Sequence, residues 1–251
     1  AEMQADLIIT VDNGISSIEG TKAAIDANIQ VIITDHHTIP ENYHSAAYEL
    51  IHPMRQDGDY PFKDLTGSGV ALKLAQGLLS SEQTIDDPNS LIYALIDLAS
   101  LGTVADCGPI IGENRLIVKK GLEILPKTRW IGLKALLQII GIADEKTLST
   151  YNIGFQIGPR INASGRISSP YFALQLLIQD NDPQIAMQLA EKLESLNLER
   201  RGMLTKALRE AESRMETQNE LSFIIEHDPE WHVGVIGLIA ERLTEKYTKP
   251  S

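Results

Sequence analysis

A single cysteine, Cys107, stands in 251 residues. No disulfide framework can hold such a chain, and a reducing, cytoplasmic setting is the expectation. Long apolar runs are missing as well: the two most apolar stretches, around Leu91 to Ala105 and Ile131 to Ala143, are interrupted by Asp97 and Lys134 and fall short of the ~20 residues a membrane span needs. Positive charge is the minority sign. Against 34 Asp and Glu there are 22 Lys and Arg, a net charge of −12, which excludes a uniformly basic nucleic-acid wrapper but leaves room for a local basic face. The first residues, Ala-Glu-Met-Gln-Ala-Asp, lack the basic and apolar regions of a signal peptide, and no Met opens the chain. An excised piece of a longer polypeptide is therefore expected. Internal repeats and low-complexity tracts are absent from the sequence. What is present is 43% apolar, enough to bury the core of one large globular domain or two smaller ones.

The scarce positive charge is unevenly spread. Between Cys107 and Pro170 lie nine basic residues and four acidic ones, a local balance of +5 that leaves −17 for the remainder. A polyanion-binding face on a repelling surface has this pattern, and so does a set of ordinary solvated helix faces.

Hydrophobic spacing supplies the organisation. Leu7 to Val11 and Val31 to Thr34 read as short strands, with Ser16 to Asn28 between them as a helix capped by Ser16 or Ser17. This is a βαβ unit, so the strands should be parallel and joined by a right-handed crossover. Asp12 and Asp35, each following a strand, then arrive at the edge where open α/β sheets bind ligands. Tyr48 to Ile51 reads as a third strand. Helices are expected over Gly69 to Leu79, Pro88 to Leu101, Glu113 to Leu125, Ile131 to Ile140 and Tyr171 to Ile178. From Asp182 to about Thr217 the chain has no Pro beyond Pro183 and one Gly, which predicts a helix on the order of 50 Å long. A strand over Leu221 to Glu226 and a helix over Val235 to Tyr247 would open a second α/β domain. The expected layout is an α/β parallel-sheet domain with a helical part over 1–180, a spacer helix over 181–218, and the start of a second domain over 219–251.

Asp35, His36 and His37 put a carboxylate and two imidazoles in one loop past a buried strand, where Asp12 can join them. Asp106 follows the small residues of Gly102-Thr-Val-Ala. Such a mixed nitrogen and oxygen set suits Mn²⁺, Mg²⁺ or Zn²⁺, and a pair of such ions ~3.5–4 Å apart can clamp the attacking and leaving oxygens of a phosphodiester. A strand-end Asp that caps a helix and a loop His on the surface are the structural alternatives. Arg160 and Arg166 bracket Asn162 in a stretch where Gly158, Pro159 and Gly165 suggest an irregular backbone. Their guanidinium forks suit phosphate, or else pair with acidic residues. His232 and Gly234 open the last helix, where free N–H groups can hold a phosphate, or the glycine can simply allow close packing. Glu199, Arg200 and Arg201, midway along the long helix, read as a solvated face.

In order along the chain, Val-Asp12-Asn-Gly, Thr-Asp35-His36-His37 and Gly-Thr-Val-Ala-Asp106 resemble the second, third and fourth motifs of the DHH phosphoesterase family. Ile157-Gly-Pro-Arg-Ile-Asn-Ala-Ser-Gly-Arg-Ile167 is similar to the segment marking its RecJ branch, the single-stranded-DNA-specific exonucleases. Gly67-Ser-Gly-Val-Ala-Leu-Lys, Gly112-Glu-Asn-Arg115 and Trp231-His-Val-Gly-Val-Ile-Gly237 resemble that branch too. The resemblance implies a two-metal hydrolysis of single-stranded DNA with 5′ to 3′ polarity in repair and recombination, using Mn²⁺ or Mg²⁺. It implies metal ligation by Asp12, His36 and Asp106. His37 would face the scissile phosphate, Asp35 would orient a ligand, and Arg160, Asn162, Arg166, His232 and Gly234 would contact nucleic acid. A single-strand-binding protein and a helicase are the implied partners, and residues 219–251 would open the DHH-associated domain. The family's first motif, with further aspartates, and its C-terminal glycine-rich motif have no counterpart in the sequence, so the 251 residues alone are expected to be inactive. The alternatives are a phosphodiesterase for small oligonucleotides or cyclic dinucleotides, and a non-catalytic replication or repair scaffold.

Overall fold

The computed structural model describes residues 5–41, 43, 47–79, 84, 86–215 and 222–251. These form two compact units. The first holds the described residues up to Arg129 together with Glu145–Gly154, and the second holds Trp130–Asp144 and the described residues from Phe155 onward.

The first unit is built on a parallel sheet of strands β1 (Leu7–Val11), β2 (Gln30–Thr34) and β3 (Glu49–Ile51), in the order β1-β2-β3. Leu7 pairs with Gln30 and Val11 with Thr34, while Ile32 to Thr34 pair with Glu49 to Ile51, so the C-terminal ends of all three strands lie level. Helix α1 (Ile18–Asp26) makes the crossover between β1 and β2, with Ser17 at its N-cap position but without a side-chain capping bond. Because parallel pairing leaves strand ends on one side, Asp12, Asp35 and His52 all emerge at one edge.

Helices α2 (Gly67–Leu78), α3 (Leu91–Ala105) and α4 (Gly112–Ile124) complete this unit. Thr66 caps α2 by accepting the Gly69 N–H, and Ser90 caps α3 through the Tyr93 N–H. Leu65, Val70, Leu72, Ile92, Ile96, Ala99, Ile117 and Ile124 form the buried core between them. Helices α2 and α3 touch closely because Gly102 has no side chain: a Cβ there would lie 2.5 Å from Ser68 Oγ. The Thr66 and Thr103 hydroxyls share a hydrogen bond of 3.0 Å across the same contact.

The second unit contains α5 (Ile131–Ile140), α6 (Gly158–Ile167), α7 (Tyr171–Leu177), α8 (Pro183–Met215) and α9 (Val233–Tyr247). Helix α5 stops at Gly141, whose φ of +85° is the left-handed conformation glycine tolerates. The 33 residues of α8 make a helix of about 50 Å, and it packs on α5, α6, α7 and α9. Ala186, Ala190, Leu193 and Leu196 bury its first half; Ala207 and Ala211 join Ile224, Val235, Ile239 and Leu243 in a second core.

Two sequence expectations about regular structure are corrected. The stretch from Gly158 to Gly165, read as irregular, is helical: a π-helical segment, Asn152–Ile157, leads into α6, and Pro159 sits in the first turn, where no N–H is required. Among the described residues no strand forms over Ser222 to Glu226, where the backbone bond from Ile224 N–H to Pro250 O at 2.8 Å does not extend into a ladder. Thr217 and Leu221 lie outside the described residues.

Candidate metal centre

Asp12 closes β1 in an unusual backbone conformation. Its φ is +61°, and its N–H donates to Thr34 O at 3.0 Å, so the turn after β1 is held by the neighbouring strand. Aspartate is among the few side chains that tolerate the left-handed region. The turn continues through Gly14 at φ +115°, where a Cβ would come within 2.7 Å of Thr10 Oγ1. The first residue of α2 closes in from the other side: a Cβ on Gly67 would stand 2.0 Å from Asp12 Oδ1. Only glycine allows the helix N-terminus to rest on this carboxylate.

Asp35 follows β2 and is 1% exposed. Its Oδ2 accepts the Ile15 N–H at 2.9 Å, while Oδ1 accepts the N–H groups of His36 at 2.8 Å and His37 at 3.2 Å and meets His37 Nδ1 at 2.7 Å. Burial works against the Asp35 charge, yet the bonds from Ile15, His37 and His36 outweigh it and hold the carboxyl below the usual range. The same hydrogen bond keeps His37 protonated to higher pH than a free imidazole. Asp35 is thus the clamp of the loop, tying the turn after β1 to the turn after β2.

His36 points the other way, toward acid. Its Nε2 lies 3.0 Å from Asp12 Oδ1 and 3.6 Å from Asp106 Oδ2. That nitrogen is shut off from solvent and has no hydrogen bond of acceptable geometry. Burial, reinforced by the Asp106 charge, raises the Asp12 carboxyl despite the nearby imidazoles. Asp106 itself caps the end of α3, its N–H bonded to Gly102 O at 2.9 Å. Ligand atoms of Asp12, His36 and His37 all fall within 4.8 Å of one another. Carboxylate oxygens gathered around a buried imidazole nitrogen fit a hard or borderline divalent cation.

His52 was missed by sequence reasoning. It follows β3 and is buried; its Nδ1 accepts the Met54 N–H at 3.1 Å, which leaves Nε2 to donate to His37 O at 2.8 Å. Burial favours this neutral form. Its place directly after a third parallel strand was the available signal.

The loop leading from Asp106 into α4 is fixed by the Gly112-Glu-Asn segment. Gly112 has φ +48° and faces the Phe62 ring, where a Cβ would lie 2.5 Å away. Glu113 receives Lys73 at 2.5 Å and the Tyr60 hydroxyl at 2.7 Å, and buried Asn114 donates to Asp64 O and Pro109 O.

The residues expected to contact nucleic acid lie in the second unit and divide. Arg160 is turned inward onto Glu194 and the Gln156 carbonyl. Arg166, in contrast, donates to Gly234 O at 3.3 Å, and His232 caps α9 by accepting the Gly234 N–H at 3.0 Å. Asn162 is exposed on α6.

Residues 2–103 match the model of the DHH family, N-terminal domain. The chain is 39% identical over 250 residues to the single-stranded-DNA-specific exonuclease RecJ of Bacillus subtilis, covering 98% of this chain and 30% of that protein. It is 37% identical to RecJ of Escherichia coli over 98% of its own length and 44% of the relative. Among solved structures, RecJ of Thermus thermophilus in complex with Mn²⁺ superposes with a TM-score of 0.82 at 33% identity, covering 97% of this chain and 35% of that one. An exonuclease RecJ bound to manganese gives 0.81, with coverage of 97% and 59%. The chain thus spans about 30 to 44% of the length of the curated relatives it matches. With its motif residues gathered at one sheet edge, this chain matches the DHH family's N-terminal domain over residues 2–103 and is similar to RecJ exonucleases along nearly all of its length.

Proposed function

We propose that this chain contributes the metal-binding and strand-binding parts of a RecJ-type exonuclease that hydrolyses single-stranded DNA. The observation that carries the proposal is His36 Nε2, buried between the Asp12 and Asp106 carboxylates at 3.0 and 3.6 Å. The matched relatives are named as single-stranded-DNA-specific exonucleases, and solved RecJ structures hold Mn²⁺ or Mg²⁺. Asp12, His36 and Asp106 would hold the divalent cation. Once bound, it supplies Lewis acidity toward the phosphoryl oxygen and the attacking water.

The chain's own groups do the rest. Asp35 fixes the loop and takes Nδ1 of His37, leaving the other ring nitrogen of that exposed imidazole to donate to a phosphate. Because the Asp35 bond favours the protonated ring, His37 carries positive charge where negative charge would build up. His52 keeps the His37 backbone in place. The 5′ to 3′ direction, the roles in repair and recombination, the single-strand-binding and helicase partners, and the layout of catalytic domain over 1–180, spacer over 181–218 and DHH-associated domain from 219 rest on the family resemblance.

Calorimetric titration of Mn²⁺ into the chain and into His36→Ala and Asp106→Ala tests the site. Binding is expected in the first and lost in both variants; unchanged affinity would overturn the assignment. Digestion of labelled single strand, duplex and dinucleotide with Mn²⁺ tests the substrate, and preference for the dinucleotide would replace it. Inactivity of the 251 residues alone belongs to the same proposal, and the same digestion assay checks it.

A further inference from the structure

Midway along α8, in a stretch that reads as solvated, Arg200 is partly buried. Its Nε is inaccessible to solvent and has no hydrogen-bond partner among the described residues. Nη2 donates to Oδ1 of Asn197, one turn earlier, at 3.0 Å, and Asn197 is itself buried. Among the described residues the charges acting on Arg200 are those of Arg166 and Arg201, and together with burial they press its guanidinium below the ordinary arginine value. A partly buried cation beside two others, held by one hydrogen bond and with its Nε shut off from solvent, is opposed by burial and by both neighbouring charges.

Arg166 comes to this place from the last turn of α6. Its carbonyl occupies the space where a Gly234 side chain would be, 1.9 Å from an ideal Cβ, and its Nη1 reaches Gly234 O at 3.3 Å. Helices α6, α8 and α9 pack on one another in pairs. The positive first turn of α9 is therefore brought beside Arg166, and Arg166 acts on Arg200. Farther along α8, Arg201, Lys206 and Arg209 line a shallow concavity. Arg160 takes no part, since Glu194 already neutralises it.

We propose that Arg200, braced by Asn197, and Arg166 in the last turn of α6, bonded to Gly234 O in α9, form an anion site that takes a phosphate group. Resting on the function proposed above, that phosphate belongs to the backbone of the bound single strand. The unpaired Nε and the uncompensated charges are what a phosphate oxygen would satisfy. The site differs from a general basic face because it needs a desolvated fork fixed by a buried amide, not merely surface charge.

The test uses the full chain in EDTA, where no hydrolysis occurs. Binding of a fluorescent oligothymidylate is followed by anisotropy from low to high salt for the unaltered chain, Arg200→Gln, Arg166→Gln and a control, Arg242→Gln, whose guanidinium already pairs with Glu245 at 2.9 Å. Thermal melts are recorded with and without tripolyphosphate. Arg200→Gln and Arg166→Gln should each flatten the slope of log affinity against log salt by about 0.7, the contribution of one phosphate contact on a single strand. The control should keep the slope. Without anion, Arg200→Gln should melt no lower than the unaltered chain, and tripolyphosphate should stabilise the unaltered chain and the control but neither Arg200→Gln nor Arg166→Gln. A lower melting temperature with an unchanged slope would make Arg200 structural and overturn the site. If Arg200→Gln fails to fold, Arg166→Gln, on an exposed side chain, decides by the same slope. Stabilisation by tripolyphosphate that Arg200→Gln abolishes, with no strand bound by any of the proteins, would uphold the anion site and overturn the single-strand reading. Strand binding with the same slope in all four would do the reverse.

Discussion

Asp35 and His36 are adjacent and do opposite work. Asp35 satisfies three backbone N–H groups and one imidazole, whereas Nε2 of His36 faces the Asp12 and Asp106 carboxylates and, among the described residues, makes no hydrogen bond of acceptable geometry. Asp35→Ala should therefore destabilise the fold, by roughly 1–3 kcal/mol for each buried donor left without an acceptor. His36→Ala should leave the melting temperature nearly unchanged while weakening Mn²⁺ by more than the roughly 10–100-fold typical of an outer contact. Melts and Mn²⁺ titrations on the two variants check this, and equal destabilisation would remove the distinction. Gly67 offers a second contrast. In Gly67→Ala the new Cβ would stand 2.0 Å from Asp12 Oδ1 and 2.8 Å from Asp12 Cβ, so the carboxylate must swing aside and the turn that carries it must also shift, at a cost of about 1–3 kcal/mol. A lower melting temperature is expected together with at least a tenfold loss of Mn²⁺ affinity. Gly77→Ala, in the same helix but with nothing within 4 Å of the new carbon, should bind Mn²⁺ as before.

At the scale of elements, the ion pair between α2 and α4 sets a pH dependence. Burial works against the Glu113 charge, but hydrogen bonds from Lys73 and Tyr60 outweigh it and hold the carboxyl below its ordinary 4.5. A depressed carboxyl stabilises the fold above its unfolded value and loses that contribution as pH falls through its folded value. Glu113→Gln should consequently melt below the unaltered chain by a constant margin from pH 6 to 8, with the margin shrinking in melts taken below about pH 4.5.

Elements with a clean period were legible in sequence. Strands β1 and β2 and helices α5 and α9 lie at or within two residues of where apolar spacing puts them. Helix α6 was hidden because Gly158, Pro159 and Gly165 resemble breakers, while the proline sits in the one turn that accepts it. The candidate centre was legible insofar as Asp12, His36, His37 and Asp106 are motif residues. His52 was not, since its bond to His37 depends on how β3 registers against β2. Nor could local pattern separate Arg160 from Arg166: the partner that closes Arg160, Glu194, lies 34 residues away on another helix.

For the molecule as a whole, the local excess of positive charge shrinks on folding. Arg160 is neutralised by Glu194 and Lys120 faces Asp86 at 3.5 Å, so counting charges along the chain overstates the free basic face. The sheet raises a separate matter. Among the described residues β1 pairs with β2 alone, and Leu7, Ile8, Ile9 and Val11 are exposed along it. An apolar edge strand of this kind recruits other chains. The 251-residue chain is expected to self-associate as its concentration rises, and Ile9→Lys, which puts a charge on that strand, should suppress this in light scattering without changing Mn²⁺ binding.

Cys107, the chain's one thiol, is exposed immediately after Asp106, at a φ of +55° that aims the backbone away from the end of α3. It is a ready-made attachment point. A maleimide dye coupled there would sit one residue from a carboxylate assigned to the cation, and paramagnetic Mn²⁺ arriving at Asp12 and His36 would quench its emission while diamagnetic Mg²⁺ would not. Competition between the two ions could then be followed in real time without any substrate present.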